Sequence, residues 1–230
     1  MIDFHTHILP ELDDGSESIA QSISMLNILA ADNVDAIVAS PHVFLHKTSI
    51  EDFLQRRDNA YNALMSVIKD RNYPKIYKGA EVAVSTELID CDDIERLCIE
   101  GTNCLLLEMP YTFWSDWIYR TIEMLVSERR LCVLIAHIDR YISRSNRIGI
   151  ERLFSMHVSM QMNASYACSR LTRRSALRLI KDDKIAVLGS DCHNDDNRPP
   201  ILGKAFGIIN KSLGADTVYK IESNERKIFA

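Results

Sequence analysis

Ile2-Asp3-Phe4-His5-Thr6-His7 is a short apolar strand that ends in two histidines one residue apart. Residues i and i+2 of a strand point to the same face. His5 and His7 therefore aim two imidazoles at one point where the strand runs out. Imidazole is a common ligand of zinc, iron, manganese and their neighbours. A His-x-His near a terminus also arises by chance, so the residues that end the other strands decide what this pair means.

Further along, an apolar run at 34–40 (VDAIVAS) passes through Pro41 into His42. A third at 75–80 leads into Glu81, a fourth at 103–107 (NCLLL) ends at Glu108, and a fifth at 131–136 (LCVLIA) ends at His137. A sixth, 158–163 (VSMQMN), alternates weakly, and a seventh, 184–190 (KIAVLGS), ends at Asp191-Cys192-His193. Between them lie helical patterns. The first begins near Ser16, a plausible N-cap, and runs to about residue 32. Others cover 51–71, 89–100, 116–129, a stretch from Asn146 to about 156, 171–182 and 201–212. The tail holds a possible short strand at 218–221. Continuous apolar strands alternating with helices predict an α/β fold with a parallel sheet covered on both faces. An open doubly wound sheet and a closed barrel both fit. Only a barrel brings the C-terminal ends of many strands onto one axis, and six of these seven strands end in His, Asp or Glu.

The bulk properties exclude more than they identify. The 230 residues carry a net charge of −5 with no Lys/Arg-rich block, so a nucleic-acid partner is not expected. No apolar run approaches membrane-spanning length and no signal-peptide pattern opens the chain. A cytoplasmic protein is expected. The six cysteines, at 91, 98, 104, 132, 168 and 192, form no Cys-x-x-Cys pair and suggest buried free thiols rather than a disulfide framework.

The candidate ligands are His5, His7, Asp14, His42, Glu81, Glu108, His137, Asp191 and His193. Taken singly, each is more often a solvated acid, a cap or a hydrogen-bonded histidine. Taken together, they place five of the chain's seven histidines in or just after strand ends. Nine ligands exceed the needs of one ion, so two or three divalent metals are expected, with bridging carboxylates. A His/carboxylate set without cysteine suits Mn²⁺, Fe or Zn²⁺ better than thiolate-preferring metals.

Several short motifs appear in a specific order: Asp3-Phe4-His5-Thr6-His7-Ile8-Leu9-Pro10, Asp13-Asp14-Gly15, Ser40-Pro41-His42, Gly79-Ala80-Glu81 and Leu107-Glu108-Met109-Pro110. Ala136-His137-Ile138-Asp139-Arg140-Tyr141, Gly189-Ser190-Asp191-Cys192-His193-Asn194 and Arg198-Pro199-Pro200 follow. In these the sequence resembles the PHP (polymerase and histidinol phosphatase) superfamily. Within it the chain looks like the metal-dependent bacterial protein-tyrosine phosphatases linked to capsule and exopolysaccharide synthesis. The resemblance covers nearly the whole chain. It implies one PHP-type phosphatase domain over 1–230, a distorted (β/α)7 TIM-like barrel with its active site at the C-terminal ends of the strands. It further implies a trinuclear site. His5, His7, Glu81 and Asp191 would hold one metal, Glu81 would bridge to a second held by Glu108 and His137, and Asp14, His42 and His193 would hold the third. One departure is Ile138-Asp139, where the family usually has Pro-Glu.

The chemistry implied is hydrolysis of phosphotyrosine by metal-activated hydroxide. Arg140 and Arg198, each close to a metal ligand, would bind the phosphate through bidentate forks. The aromatic residues Tyr111, Phe113, Trp114 and Trp117 either stack on the phosphotyrosine ring or pack between helices. The partner implied is the tail of a polysaccharide-synthesis tyrosine kinase. Alternatives are a small-molecule phosphomonoesterase of histidinol-phosphate type, a phosphodiesterase, and a non-catalytic binding domain. A rival mechanism lies in Cys192 and Arg198, which have the Cys-x₅-Arg spacing of thiol phosphatases. The loop between them has no glycine and two acids, which speaks against it.

Overall fold

In the computed structural model β1 (Ile2–Thr6) is followed by α1 (Ile19–Ala31), and strands and helices then alternate. The described residues are 1–69, 71–142 and 147–230, so the expected cap Asn146 lies outside them. β2 (Ala36–Ala39) and β3 (His42–Val43) are two halves of one bent pass. After α2 (Ile50–Ile68), β4 (Lys75–Lys78) and β5 (Glu81–Ala83) make another. Next come β6 (Cys104–Glu108), α3 (Asp116–Ser127), β7 (Cys132–Ile135), α4 (Asp139–Ile142) and α5 (Arg147–Ser155). The chain ends with β8 (Ser159–Asn163), α6 (Ala164–Cys168), α7 (Arg173–Lys181), β9 (Val187–Gly189), α8 (Leu202–Leu213) and α9 (Ala215–Ile228).

Every paired strand is parallel, in the orders β1-β2-β4 and β3-β5-β6-β7-β8-β9. The ring closes where the last pass meets the first. Asp191 N donates to His5 O at 2.8 Å and His7 N to Cys192 O at 2.9 Å. Counting the two bent passes once each gives the expected distorted (β/α)7 barrel.

The distortions have local causes, and they set the site. Pro41 has no N–H for a ladder, so β2–β4 pairing stops there and resumes as β3–β5. Gly79 N to Ala39 O, 2.8 Å, and Glu81 N to Pro41 O, 3.0 Å, carry the sheet across the break. The single strand expected at 75–80 is thus two, and Glu81 opens the second. In β1 the register slips by one residue between Asp3 and Thr6. Such a bulge re-aims side chains. Phe4 packs with Cys104, Leu106, Leu134 and Val187 in the lower barrel, and its neighbour His5 joins the polar cluster above. Each fully buried Leu or Phe in that layer contributes about 1.5–3 kcal/mol.

Other expectations are corrected. The first helix is capped by Ser18, whose Oγ accepts from Gln21 N at 3.2 Å. Ser16 lies two residues earlier and donates to Ser18 O. The helix expected at 89–100 is two short 3₁₀ turns, Thr86–Leu88 and Ile94–Leu97. Asp90, Asp92 and Asp93 compete with a helical backbone there. The possible strand at 218–221 lies inside α9. There Ile221 and Glu225, one helical turn apart, both face inward, and Glu225 Oε2 accepts from Ile2 N at 3.0 Å. All six cysteines are free, with Cys98, Cys104 and Cys192 buried and the others half-buried. Among the described residues no helix is long and apolar enough to cross a membrane.

Candidate metal centre

All nine candidate ligands meet at the C-terminal mouth of the barrel, and Glu81 is their hub. Its Oε1 lies 2.7 Å from His137 Nε2, and its Oε2 lies 3.0 Å from His5 Nε2, 3.3 Å from His7 Nε2 and 3.0 Å from His42 Nδ1. His5 Nε2 and His7 Nε2 are 3.1 Å apart. Asp191 Oδ1 sits 3.7 and 3.6 Å from those two nitrogens. Glu108 Oε1 is 3.6 Å from His137 Nε2. On the outer side Asp14 Oδ1 lies 3.3 Å from His42 Nε2 and 3.4 Å from His193 Nε2. Three overlapping groups have ligand atoms close enough to surround an ion: His5-His7-Glu81, His42-Glu81-Glu108 and His7-Asp14-His42-His193. Glu81 Oε2, His42 Nδ1 and His137 Nδ1 are buried and have no hydrogen-bond partner of acceptable geometry. Buried acceptors left unsatisfied are costly, and divalent ions among them would satisfy several at once. The donor set therefore fits divalent metals. His137 and Asp191 also have positive φ, 29° and 54°. Strain of that kind, about 1–3 kcal/mol each, concentrates at functional sites.

The histidines are oriented by Asp13, which lies in a motif but is not among the nine candidate ligands, and by Gln161 and Asn163, which lie in no motif. A carboxylate accepts only, so His7 Nδ1 donates to Asp13 Oδ2 at 2.7 Å, which leaves His7 Nε2 to face the cluster and to offer its lone pair once the ring is neutral. Asn163 Nδ2 must donate to Asp191 Oδ2 at 2.9 Å. Asn163 Oδ1 then accepts from Gln161 Nε2 at 3.0 Å. Gln161 Oε1 accepts from His137 N at 2.6 Å and, at 3.3 Å, from His5 Nδ1. His5 Nε2 is thereby turned inward as well. Gly189 makes room for this network, since a Cβ there would fall 2.6 Å from His5 Cβ and 2.8 Å from Gln161 Nε2. The available signal was the alternation of β8, which puts the polar Gln161 and Asn163 on one face between Met160 and Met162.

Asp13 also accepts from Gly15 N at 2.9 Å and His42 N at 3.0 Å. An asparagine there would have to aim its NH₂ at one of these donors. Asp13→Asn is expected to weaken metal binding about 10–100-fold while leaving the barrel folded. Titration with a metal-sensitive dye checks this, and an unchanged affinity would remove Asp13 from the site.

The electrostatics follow from burial among many charges. Burial pushes the His5 imidazole down, but Glu81 and Asp191 outweigh it and raise it to about 9. His7 is likewise raised to about 9, against its burial, by hydrogen bonds to Asp13 and Glu81. Burial and the neighbouring His7 charge lower His193 to about 4. Burial likewise lowers His137. Glu81 is buried, yet the surrounding histidines hold it well below the usual carboxylate range.

Arg140 and Arg198 both grip Asp191. Arg140 pairs with Asp191 Oδ2, and Arg198 with Asp191 Oδ1 at 2.9 Å. Arg140 also donates to Tyr111 Oη at 2.7 Å. Both guanidiniums line a cavity of about 450 Å³ floored by Asp14, His42, Glu108 and His193. The aromatic loop divides. Tyr111 lines this cavity and Phe113 is 87% exposed. Trp114 is buried, donating to Pro110 O at 3.0 Å, and Trp117 packs on the core. Asp139 is buried and accepts from Asn163 N at 2.8 Å, so it steadies β8.

The thiol rival fails on geometry. Cys192 is fully buried, and burial raises its pKa well above the ordinary thiol value. Five of the loop's N–H groups are already engaged. His193 N and Asn194 N donate to Arg198 O, while Asp196 N, Asn197 N and Arg198 N donate to Asn194 Oδ1. No phosphate cradle remains.

A family model described as capsular polysaccharide synthesis, CpsB/CapC, matches residues 1–230. The tyrosine-protein phosphatase CpsB of Streptococcus pneumoniae is 27% identical, with 99% of this chain and 98% of that protein aligned. The tyrosine-protein phosphatase YwqE of Bacillus subtilis is 26% identical over 97% of this chain and 89% of its own. Crystal structures of YwqE from Bacillus subtilis and CpsB from Streptococcus pneumoniae are described as unique metal-dependent tyrosine phosphatases. One chain among them superposes with a TM-score of 0.82 at 22% identity, covering all of this chain and 94% of that one.

Proposed function

The chain belongs to the CpsB/CapC capsular polysaccharide synthesis family, and from that premise we propose that it is a metal-dependent protein-tyrosine phosphatase. The convergence of nine His, Asp and Glu side chains, four of them lining a cavity that two arginines also line, carries this proposal. His5, His7, Glu81 and Asp191 would hold one ion, Glu81, Glu108 and His137 a second, and Asp14, His42 and His193 a third, with Mn²⁺ proposed as the ion. When bound, the metals lower the pKa of a coordinated water and neutralise charge on the transferring phosphoryl group. The protein supplies the rest. Arg140 and Arg198 receive the phosphate oxygens, releasing part of their hold on Asp191. Tyr111, tied to Arg140, borders the space for the aromatic ring. A phenolate leaving group, with a pKa near 10, departs more readily than a serine alkoxide, so no strong general acid is required. The natural substrate is the phosphotyrosine tail of a polysaccharide-synthesis tyrosine kinase, met in the cytoplasm by a single domain spanning 1–230.

Wild type and Cys192→Ser are both expected to hydrolyse p-nitrophenyl phosphate and a phosphotyrosyl peptide, and to leave the phosphoseryl counterpart nearly untouched. A folded Cys192→Ser protein without activity would restore the thiol mechanism. Comparable release from phosphoserine would point instead to a general phosphomonoesterase.

A further inference from the structure

The cavity between the two arginines has a neighbour. A second cavity of about 530 Å³ shares Asp14, His42 and Phe44 with it but not Arg140 or Arg198. Its floor is apolar, from Leu12 and Phe53, and its rim carries Lys47 and Arg56. Each cation is tethered there. The Lys47 ammonium lies 4.6 Å from the centroid of the Phe44 ring. Arg56 Nη2 donates to Leu12 O at 3.0 Å. Among the described residues neither has a carboxylate within ion-pair distance. The two acids that line the cavity are committed elsewhere, Asp13 to His7 and Asp14 to His42 and His193. Two unmatched cations therefore sit at the catalytic mouth of a chain whose net charge is −5.

We infer that this cavity is a subsite for an acidic side chain close to the phosphotyrosine in the protein substrate. The inference rests on the phosphatase reading above. Phe44 is the wall between the two pockets. A residue within about three positions of the phosphotyrosine in an extended chain spans such a wall. Lys47 and Arg56 receive its carboxylate, and Leu12 and Phe53 take its methylenes.

The test compares kcat/KM for p-nitrophenyl phosphate and for two phosphotyrosyl peptides that differ only in flanking Glu or Gln. Wild type is expected to prefer the Glu peptide by about fivefold, the scale of two partly exposed charge pairs. The preference should appear in KM and fade as salt is raised. The double variant Lys47→Ala/Arg56→Ala should bring the ratio of Glu to Gln peptide to near one. Lys47→Glu/Arg56→Glu should reverse it. Equal rates on both peptides in wild type, or a preference that survives either double variant, would overturn the inference. Hydrolysis of none of the three substrates by metal-loaded wild type would remove the phosphatase reading and this one with it.

Discussion

Glu81→Gln is expected to lower kcat/KM on phosphotyrosine by about a thousandfold and to leave the purified protein short of metal. The side chain is 1% exposed, and its two oxygens face His5, His7, His42 and His137 at 2.7–3.3 Å. One carboxylate thus serves four imidazoles, and it is the only group shared by two of the three ligand clusters proposed above. Glutamine keeps the shape but replaces one oxygen by an NH₂. Turned either way, that NH₂ points at an imidazole nitrogen whose lone pair a metal would use, and the bridging charge is gone. Exposed Glu87 offers a control, since Glu87→Gln should change neither quantity. The measurements are elemental analysis of the purified variant and its steady-state kinetics, with circular dichroism to establish that the barrel survives. A Glu81→Gln protein with full metal content and wild-type turnover would mean that the chemistry is elsewhere.

How much of this was legible in the sequence depends on whether a side chain's role is set by its own strand. His5 and His7 share a face by the two-residue period, and their convergence could be read directly. The bulge that lets Phe4 fill the lower barrel beside an inward-facing His5 could not, because a register slip is a property of the pairing with β2. The sequence puts Glu81 at a strand end, and it stands instead at the start of β5. Its position relative to the other ligands survived because Pro41 and Gly79 offset both bent passes at the same level. In sequence the β8 strand is chemically blank because it ends in no ligand. Gln161 and Asn163 act through others, and only their contacts across the barrel reveal it. In α9 the stretch Val218–Ile221, with a β-branched residue at each end, suggests a strand, but propensity yields to the packing of Ile221 and Glu225 beneath β1.

Asp191 joins the two halves of the site. Asn163 and Arg140 hold its Oδ2, while its Oδ1 faces the histidines and Arg198. A carboxylate gripped by two guanidiniums is a weaker electron donor to a metal than a free one. A phosphate dianion that draws those guanidiniums away would return electron density to Asp191. Substrate binding and metal binding are then expected to reinforce one another through this residue, as linkage requires of any pair of sites that share a group.

Removing metal with a chelator is expected to abolish hydrolysis and to lower the melting temperature by about 10 °C for each tight site emptied. Restoring it should release protons. In the metal-free protein His5 and His7 are raised to about 9 by Glu81, Asp191 and Asp13, which outweigh burial. Both are charged at pH 7.5, and a metal takes only the neutral imidazole. His42, also raised, adds to the count, whereas His137 and His193 are lowered and add none. Two or more protons should therefore leave at pH 7.5, measurable by titration calorimetry in buffers of different ionisation enthalpy. A group whose folded pKa is raised stabilises fully below its unfolded value near 6.5 and loses that contribution as pH rises through about 9. The metal-free protein should thus lose stability between pH 7 and 9. The metal-loaded protein, with its imidazoles already neutral and ligated, should not, because rising pH removes the protons that compete with the ions. The two melting curves diverge with pH. Parallel curves, or binding without proton release, would show that His5 and His7 are not where the metals sit.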